Sequence, residues 1–252
     1  LFDILDGDER LATYRIRNAE AGLDFGRELG SWGEWRVGVV RGEGKRNLLV
    51  GDPDDPNLPP RTDFDRGELY SRFSVDRLDD VYFPREGELF ALQWNGPREG
   101  LGADADADRI SFDWQVARSR GRSTVVLSAS GGARVSGPGG AVQDFYSLGG
   151  LFNLSGLSPD AVSGPHFGIA RAVVYRRIGK GQEGFLNVPT YLGASLELGN
   201  VWERRSDMDL DSARANGALF LGFDTFLGPV YLAAGFDEEG GRSFYLLLGR
   251  FR

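Results

Sequence analysis

Few side chains in this sequence have the type and spacing that catalysis requires. His166 is the single histidine, so imidazole chemistry would have one member and no second ring to share a metal ion or a proton. It sits in "SGPHFG" at 163–168, a strand start beside a long loop, where a structural hydrogen bond is the expected role. There are no cysteines, which excludes disulfides, thiolate metal sites and a thiol nucleophile. No G-x-S-x-G elbow, Walker loop or dinucleotide fingerprint occurs, and "DGD" at 6–8 reads as a hairpin turn. Two acidic repeats, Asp104, Asp106, Asp108 and Asp207, Asp209, Asp211, have the spacing that opens a calcium loop. Both lack the glycine at position six and the glutamate at position twelve, so the expectation is solvated acidic loops, with weak divalent bridging to anionic phosphates as the alternative. No catalytic residue, metal or cofactor is expected in this chain.

The elements that carry these residues are strands. With 252 residues, 41% hydrophobic, the chain can form one large all-β domain. Acidic residues outnumber basic ones, giving a net charge of −8, which argues against nucleic acid as a partner. Period-two alternation recurs from end to end. Ile110, Phe112, Trp114 and Val116 share one face against Ser111, Asp113, Gln115 and Ala117. Leu192, Ala194, Leu196 and Leu198 oppose Gly193, Ser195, Glu197 and Gly199. Leu219, Leu221 and Phe223 oppose Asn216, Ala218, Phe220, Gly222 and Asp224.

A soluble sandwich and a transmembrane barrel both alternate, and the second face separates them. Here it is made of glycine, alanine, serine and single charges, on segments of membrane-crossing length. Arg36, Asp24, Asp113, Glu197 and Asp224 are therefore expected in a lumen, with Arg171 pairing Glu197 across neighbouring strands. Trp32, Trp35, Trp94 and Trp202 fall near strand ends, as an interfacial girdle would place them. Connectors alternate long and short, with Glu43 to Arg66 and Gly131 to Gly164 among the long ones. Residues 9–28 read as one long strand with a bulge near Arg17 to Ala19. The count is eleven strands plus the stub "LFDIL", hence about twelve, in one domain over 1–252 without a linker. The chain lacks a charged-then-apolar leader, and the stub reads as the tail of a strand inside a larger structure.

The connector "SVDRLDDVYFPREGELF" at 74–90 holds more special residues than a reversal needs. Gly87 can take a positive φ, Pro84 fixes a turn dihedral, Asp79 and Asp80 can accept backbone amides, and Phe83 is the size of a rim plug. The order Asp76, Leu78, Asp79, Phe83, Pro84, Gly87 resembles the periplasmic turn of the outer-membrane insertase and two-partner-secretion barrels, the bacterial surface-antigen family. "FYSLGGLFNLSGLSPDAVSGPHFGIARAVVYRR" at 145–177 resembles that family's long sixth loop and the following strand, with Leu148, Gly149, Gly150, Leu154, Ser155 and Gly156 as its motif. The same version, with "DGDERLATYRIRNAEAGLDFG" at 6–26, "YLGASLELGNVW" at 191–202 and the closing "SFYLLLGRFR", is similar to the barrels of patatin-like phospholipase autotransporters.

That resemblance implies an antiparallel transmembrane β-barrel, of which this chain is the C-terminal part of a sixteen-stranded whole. It implies an outer-membrane anchor and translocator for an N-terminal patatin-like lipase, whose serine–aspartate dyad has no counterpart here. The long loop would plug or gate the pore. Tyr245, Leu247, Gly249 and Phe251 would form the C-terminal signal read by the barrel-assembly machinery, with Arg252 as a departure. Leu154, Ser155 and Gly156 stand where the family carries an arginine motif, so the arginine lock is absent or moved in this chain. Expected partners are outer-membrane lipid and lipopolysaccharide, the assembly machinery, the attached passenger, and a second copy through exposed strand edges. The alternatives are a stand-alone barrel that assists outer-membrane protein assembly and a soluble β-sheet binding module.

Overall fold

The computed structural model describes residues 2–6, 9–52, 60–138, 145–178 and 188–249. Fourteen strands are present among them: β1 (Phe2–Asp6), β2 (Glu9–Glu28), β3 (Glu34–Val50), β4 (Arg61–Asp76), β5 (Gly87–Pro97), β6 (Asp108–Arg120), β7 (Ser123–Ser136), β8 (Tyr146–Leu148), β9 (Val162–Gly164), β10 (His166–Ile178), β11 (Thr190–Trp202), β12 (Arg214–Thr225), β13 (Gly228–Asp237) and β14 (Arg242–Leu248). Twelve form one antiparallel sheet in chain order, with β10 following β7; β8 and β9 make a separate hairpin inside the connector between those two. The stub is thus a true strand and the expected twelve is met.

Side-chain exposure fixes which way the sheet faces. Leu196 of β11 is 72% exposed and Leu219 of β12 is 60% exposed, while Ser195 and Glu197 are each 3% exposed. Water would favour the reverse, because an exposed leucine row costs about 25 cal/mol per Å² of apolar area left in water. Phe112, Leu127, Leu192, Leu232, Phe244 and Leu246 extend the apolar outer face around the wall. The medium outside is lipid, not water. That removes the physical basis for a soluble binding module.

Two details differ from the sequence expectation. No bulge lies at Arg17 to Ala19; the β2–β3 register runs unbroken from Tyr14 to Glu28 and shifts between Thr13 and Tyr14. The connector expected over Glu43 to Arg66 is largely strand, since Glu43 pairs with Asp65 and Asn47 with Arg61. β2, β3 and β4 have 20, 17 and 16 residues, beyond the roughly 9–11 that cross a bilayer. Their extra length stands beyond the membrane at the long-connector end, where both faces are wet and polar alternation mimics a loop.

β2 and β14, the outermost long strands, run in the same direction. A direct ladder between them would be parallel, so antiparallel closure needs an odd number of strands in between, of which β1 covers only the outer end of β2.

Substituting Leu219→Arg is expected to destabilise the folded barrel by about 2–4 kcal/mol, against well under 1 for Ser111→Arg on the opposite face. Reversible unfolding in lipid vesicles measures the difference.

Candidate functional site

Two connectors enter the lumen from opposite ends and meet on the wall formed by β10 to β14. The first is the β4–β5 turn. Asp76 accepts the Leu78 amide at 3.1 Å, Asp79 accepts those of Arg85 and Glu86 at 2.7 and 3.0 Å, and Asp80 accepts those of Tyr82 and Phe83 at 2.7 and 2.8 Å. The three aspartates thus satisfy amides that a strand ladder no longer serves. Gly87 has φ +113°, with the Arg77 carbonyl where a Cβ would stand. So braced, the turn drives Phe83 inward, where it is 3% exposed. Its ring stacks on Tyr191 at 4.3 Å and meets Tyr231 at 5.3 Å and Tyr175 at 6.0 Å. The Tyr175 hydroxyl donates to the Pro84 carbonyl and that of Tyr231 to the Tyr82 carbonyl. Leu78 packs against the same cluster, and Gly222 of β12 leaves room for the ring.

The second is the connector between β7 and β10. Leu148 and Leu154, 1% and 0% exposed, pack with Ile169, while Gly149 and Gly150 take φ +132° and +104°. Phe152 and Leu154 also hold positive φ, +61° and +72°, at a cost of about 1–3 kcal/mol each that only surrounding contacts sustain. Hydrogen bonds to the barrel wall supply those contacts. Ser155 donates its amide and its hydroxyl to the two carboxylate oxygens of Glu197, both at 2.6 Å, and Ser195 donates to the same group at 2.6 Å. The Gly156 amide donates to Asn216 at 2.9 Å. The Tyr245 hydroxyl lies 2.8 Å from both the Ser155 and Leu157 carbonyls and shares its single proton between them, and Ser243 donates to the Gly156 carbonyl at 2.9 Å. Phe152 then reaches Phe220 and Tyr231 edge-on, so loop and turn share Tyr231.

Arg171 and Glu197 stand opposite in register, as expected, but do not make the expected pair. Glu197 gives its oxygens to serine donors, and Arg171 donates to Asn153 of the loop at 3.1 Å and to Ser130 at 3.4 Å. Asp113 and Asp224 keep the inward parity read from sequence. Arg36 pairs with Asp24 and, at 2.6 Å, with Glu34. Leu247 packs on the aromatic cluster and the Gly249 amide donates to Pro229 at 2.9 Å. Phe251 lies outside the described residues. The acidic repeats serve their own loops: Asp104 accepts the Asp65 amide, Asp106 that of Glu99 at 2.7 Å, Asp108 binds Arg98 at 2.7 Å, and Asp207 binds Arg204 at 2.9 Å. Among the described residues no group of three or more acidic or histidine side chains is arranged to hold a metal ion.

The opposite wall, β2 to β6, is charged. Glu68 is 1% exposed and bound by Arg109 at 2.7 Å, by Arg66 at 3.5 Å and by the Asn95 amide; Arg66 also holds Glu20 at 2.7 Å. This network borders a cavity of about 370 Å³ at the long-connector end, with Phe64, Phe145 and Arg134 in its lining. Sequence reading missed that network, the tyrosine cage, Asn216 and the anchoring role of Tyr245. The available signal was parity: Tyr175, Tyr191, Tyr231 and Tyr245 all fall on the polar, lumen-side register of their strands.

No protein-family model matches the chain, and no curated protein does. Among solved structures, 66 chains match. One is described as the crystal structure of BamA from Haemophilus ducreyi lacking POTRA domains 1–3, with a TM-score of 0.76 and 12% identity. The match covers 92% of this chain and 54% of that one, and at this identity the likeness is one of fold. The fold is that of a transmembrane β-barrel. Its own turn and loop pack against the lumen side of the wall from β10 to β14.

Truncating Phe83→Ala is expected to cost about 3–5 kcal/mol, as for other buried aromatics, read as a lower denaturant midpoint in vesicles. Acid tests the turn separately. Burial alone would raise the Asp79 carboxyl, but the amides of Glu86 and Arg85 outweigh it and hold its pKa below the ordinary value. A depressed carboxylate stabilises the fold above its unfolded pKa of about 3.9 and stops doing so as pH falls through the folded value. Protection of the Arg85 and Glu86 amides should therefore hold from neutral pH to about 5 and decline below about 4. Asp79→Asn should flatten that decline.

Proposed function

We propose that this chain is the outer-membrane anchor and translocator barrel of an attached patatin-like lipase, with the 149–157 loop as its plug. The observation that carries the gate is the Ser155–Glu197 contact, which ties a strained loop inside a pore. The apolar outer face and the fold match support residence in the bacterial outer membrane as an insertase-like or translocator barrel. The motifs at 6–26, 145–177 and 191–202, with the closing "SFYLLLGRFR", support the finer assignment to a secreted lipase. On this reading the partners are outer-membrane lipid and lipopolysaccharide, the assembly machinery engaging β14, and the passenger. Residues 1–252 are the C-terminal part of a sixteen-stranded barrel: the eleven long strands, twelve in the sheet less β1, close antiparallel with five more. One more would close a barrel of twelve. A second copy is a further partner on this reading: β1 and β14, the two edges of the sheet, run in opposite directions, so β1 of one copy against β14 of another would pair antiparallel.

The likeness to the BamA barrel favours a second reading, a barrel that assists outer-membrane protein assembly without a passenger. The native polypeptide decides between them. Intact mass and N-terminal sequencing from native membranes should show a G-x-S-x-G hydrolase ahead of Leu1; a polypeptide starting near Leu1 would contradict the lipase assignment. The plug has its own test. Glu197→Ala should raise single-channel conductance in planar bilayers, and unchanged conductance would count against gating.

A further inference from the structure

At the short-connector end, the outer face of the wall carries a cluster of arginines with no carboxylates to match it. Strands β6 and β7 are joined by Gly121 and Arg122 alone, with Gly121 at φ +63° and its carbonyl held by Arg85 at 2.7 Å. On β6 the lipid-facing parity of Phe112, Trp114 and Val116 continues into Arg118 and Arg120. Arg118 stands opposite Val125, which pairs in turn with Val174; Arg120 stands opposite Ser123, which pairs with Arg176. Val125 and Val174 are 44% and 47% exposed, and Arg118, Arg120, Arg122, Ser123 and Arg176 are exposed beside them. Arg118 donates to the Gly87 and Ala117 carbonyls at 3.1 and 2.8 Å. Arg120, Arg122 and Arg176 have no side-chain hydrogen bond or ion pair among the described residues. At this end of β5 to β7 and β10 the outer face of the strands holds one acidic side chain, Glu88, which is paired with Arg77 at 3.7 Å. Elsewhere arginine is matched: Arg36, Arg61, Arg66, Arg98, Arg109 and Arg204 each hold a carboxylate within 3.1 Å. In a chain of net charge −8, this local excess of cations needs a partner from outside.

We propose that the cluster binds the phosphate headgroup of an anionic phospholipid in the leaflet at the short-connector end. Arg120 and Arg176 lie two strand spacings apart, about 10 Å between Cα atoms, with the small Ser123 between them. Two guanidinium arms across that gap can close on one phosphate, each presenting paired N–H donors, while Arg118 and Arg122 complete the positive field. Val125, Val174 and Leu192, which pairs with Arg176, form an apolar floor toward the bilayer centre. An acidic protein segment would have no use for that floor, whereas acyl chains beneath a phosphate fit it. Short connectors face the periplasm in outer-membrane barrels, so the lipid belongs to the periplasmic leaflet, and clustered basic side chains at a bilayer boundary attract anionic headgroups. The inference rests on outer-membrane residence and adds the lipid class and the place where it is held.

The sequence has no cysteine, so a bimane fluorophore on Leu127→Cys, two residues along β7 from Val125 on the lipid face, reports lipid beside the cluster. The same label on Leu232→Cys of β13 reports lipid away from it. The probes are acyl-chain-brominated phosphatidylglycerol and phosphatidylethanolamine, at equal mole fraction in phosphatidylcholine vesicles. Phosphatidylglycerol should be preferred about fivefold or more at Leu127→Cys, with no preference at Leu232→Cys. Arg120→Gln combined with Arg176→Gln should abolish the preference. Neither side chain has a protein partner, so that variant should keep the heat-modifiable migration of a folded barrel. Equal quenching by the two lipids at Leu127→Cys would overturn the lipid site and leave the cluster to an acidic protein segment. The same preference at both labels would overturn it in favour of general charge attraction, and a preference that survives the double substitution would overturn the assignment to these arginines. Failure of both lipids to quench either label would contradict membrane residence itself, and the site with it.

Discussion

A carboxylate held away from water must be bonded on both oxygens, and Glu197 is bonded to a loop from the far end of the barrel. That constraint organises the lumen. Ser155 can bring both its amide and its hydroxyl to Glu197 only if the backbone passes through the left-handed region at Phe152 and Leu154. This geometry turns Phe152 toward Phe220 and Tyr231 and buries Leu154 against Leu148 and Ile169. Removing the carboxylate would leave a buried amide unsatisfied and two strained residues without support.

The two halves of the lumen solve the same problem differently. From β10 to β14 the wall is aromatic and glycine-rich, and polypeptide fills it: Phe83 from one end, the 149–157 loop from the other. Gly222 and Gly235 are where wall and plug approach most closely, so the small residues there reflect contact more than turn geometry. From β2 to β6 the wall carries Glu20, Arg66, Glu68 and Arg109 as an alternating chain of charges beside a cavity. Glu68 is the buried member, and its charge is sustained there by Arg109 and Arg66, since an unpaired buried carboxylate would be heavily penalised.

Much of this was legible in the sequence because period-two alternation states which side chains share a face. Leu196 and Glu197 could be assigned to lipid and lumen without a structure, as could the twelve strands and the bracing role of Asp79, Pro84 and Gly87. Alternation does not state which lumen residues meet. Arg171 and Glu197 are register partners, yet each is taken by the loop, whose path depends on contacts remote in sequence. Tyr245 fits a terminal signal by its parity, and nothing local in the sequence indicates that its hydroxyl reaches residue 155. The outer parts of β3 and β4 read as loop because a ladder with two wet faces has the composition of one.

The most direct measurement is a spin-label accessibility scan along β11, from Tyr191 to Val201, in lipid vesicles. A plugged barrel predicts oxygen accessibility peaking at Leu192, Ala194, Leu196 and Leu198. It also predicts low accessibility at 195 and 197 to a water-soluble relaxant, because the loop occupies that stretch of lumen. Free access of the water-soluble relaxant to both positions would contradict the plug, and loss of the two-residue period would contradict the barrel wall itself.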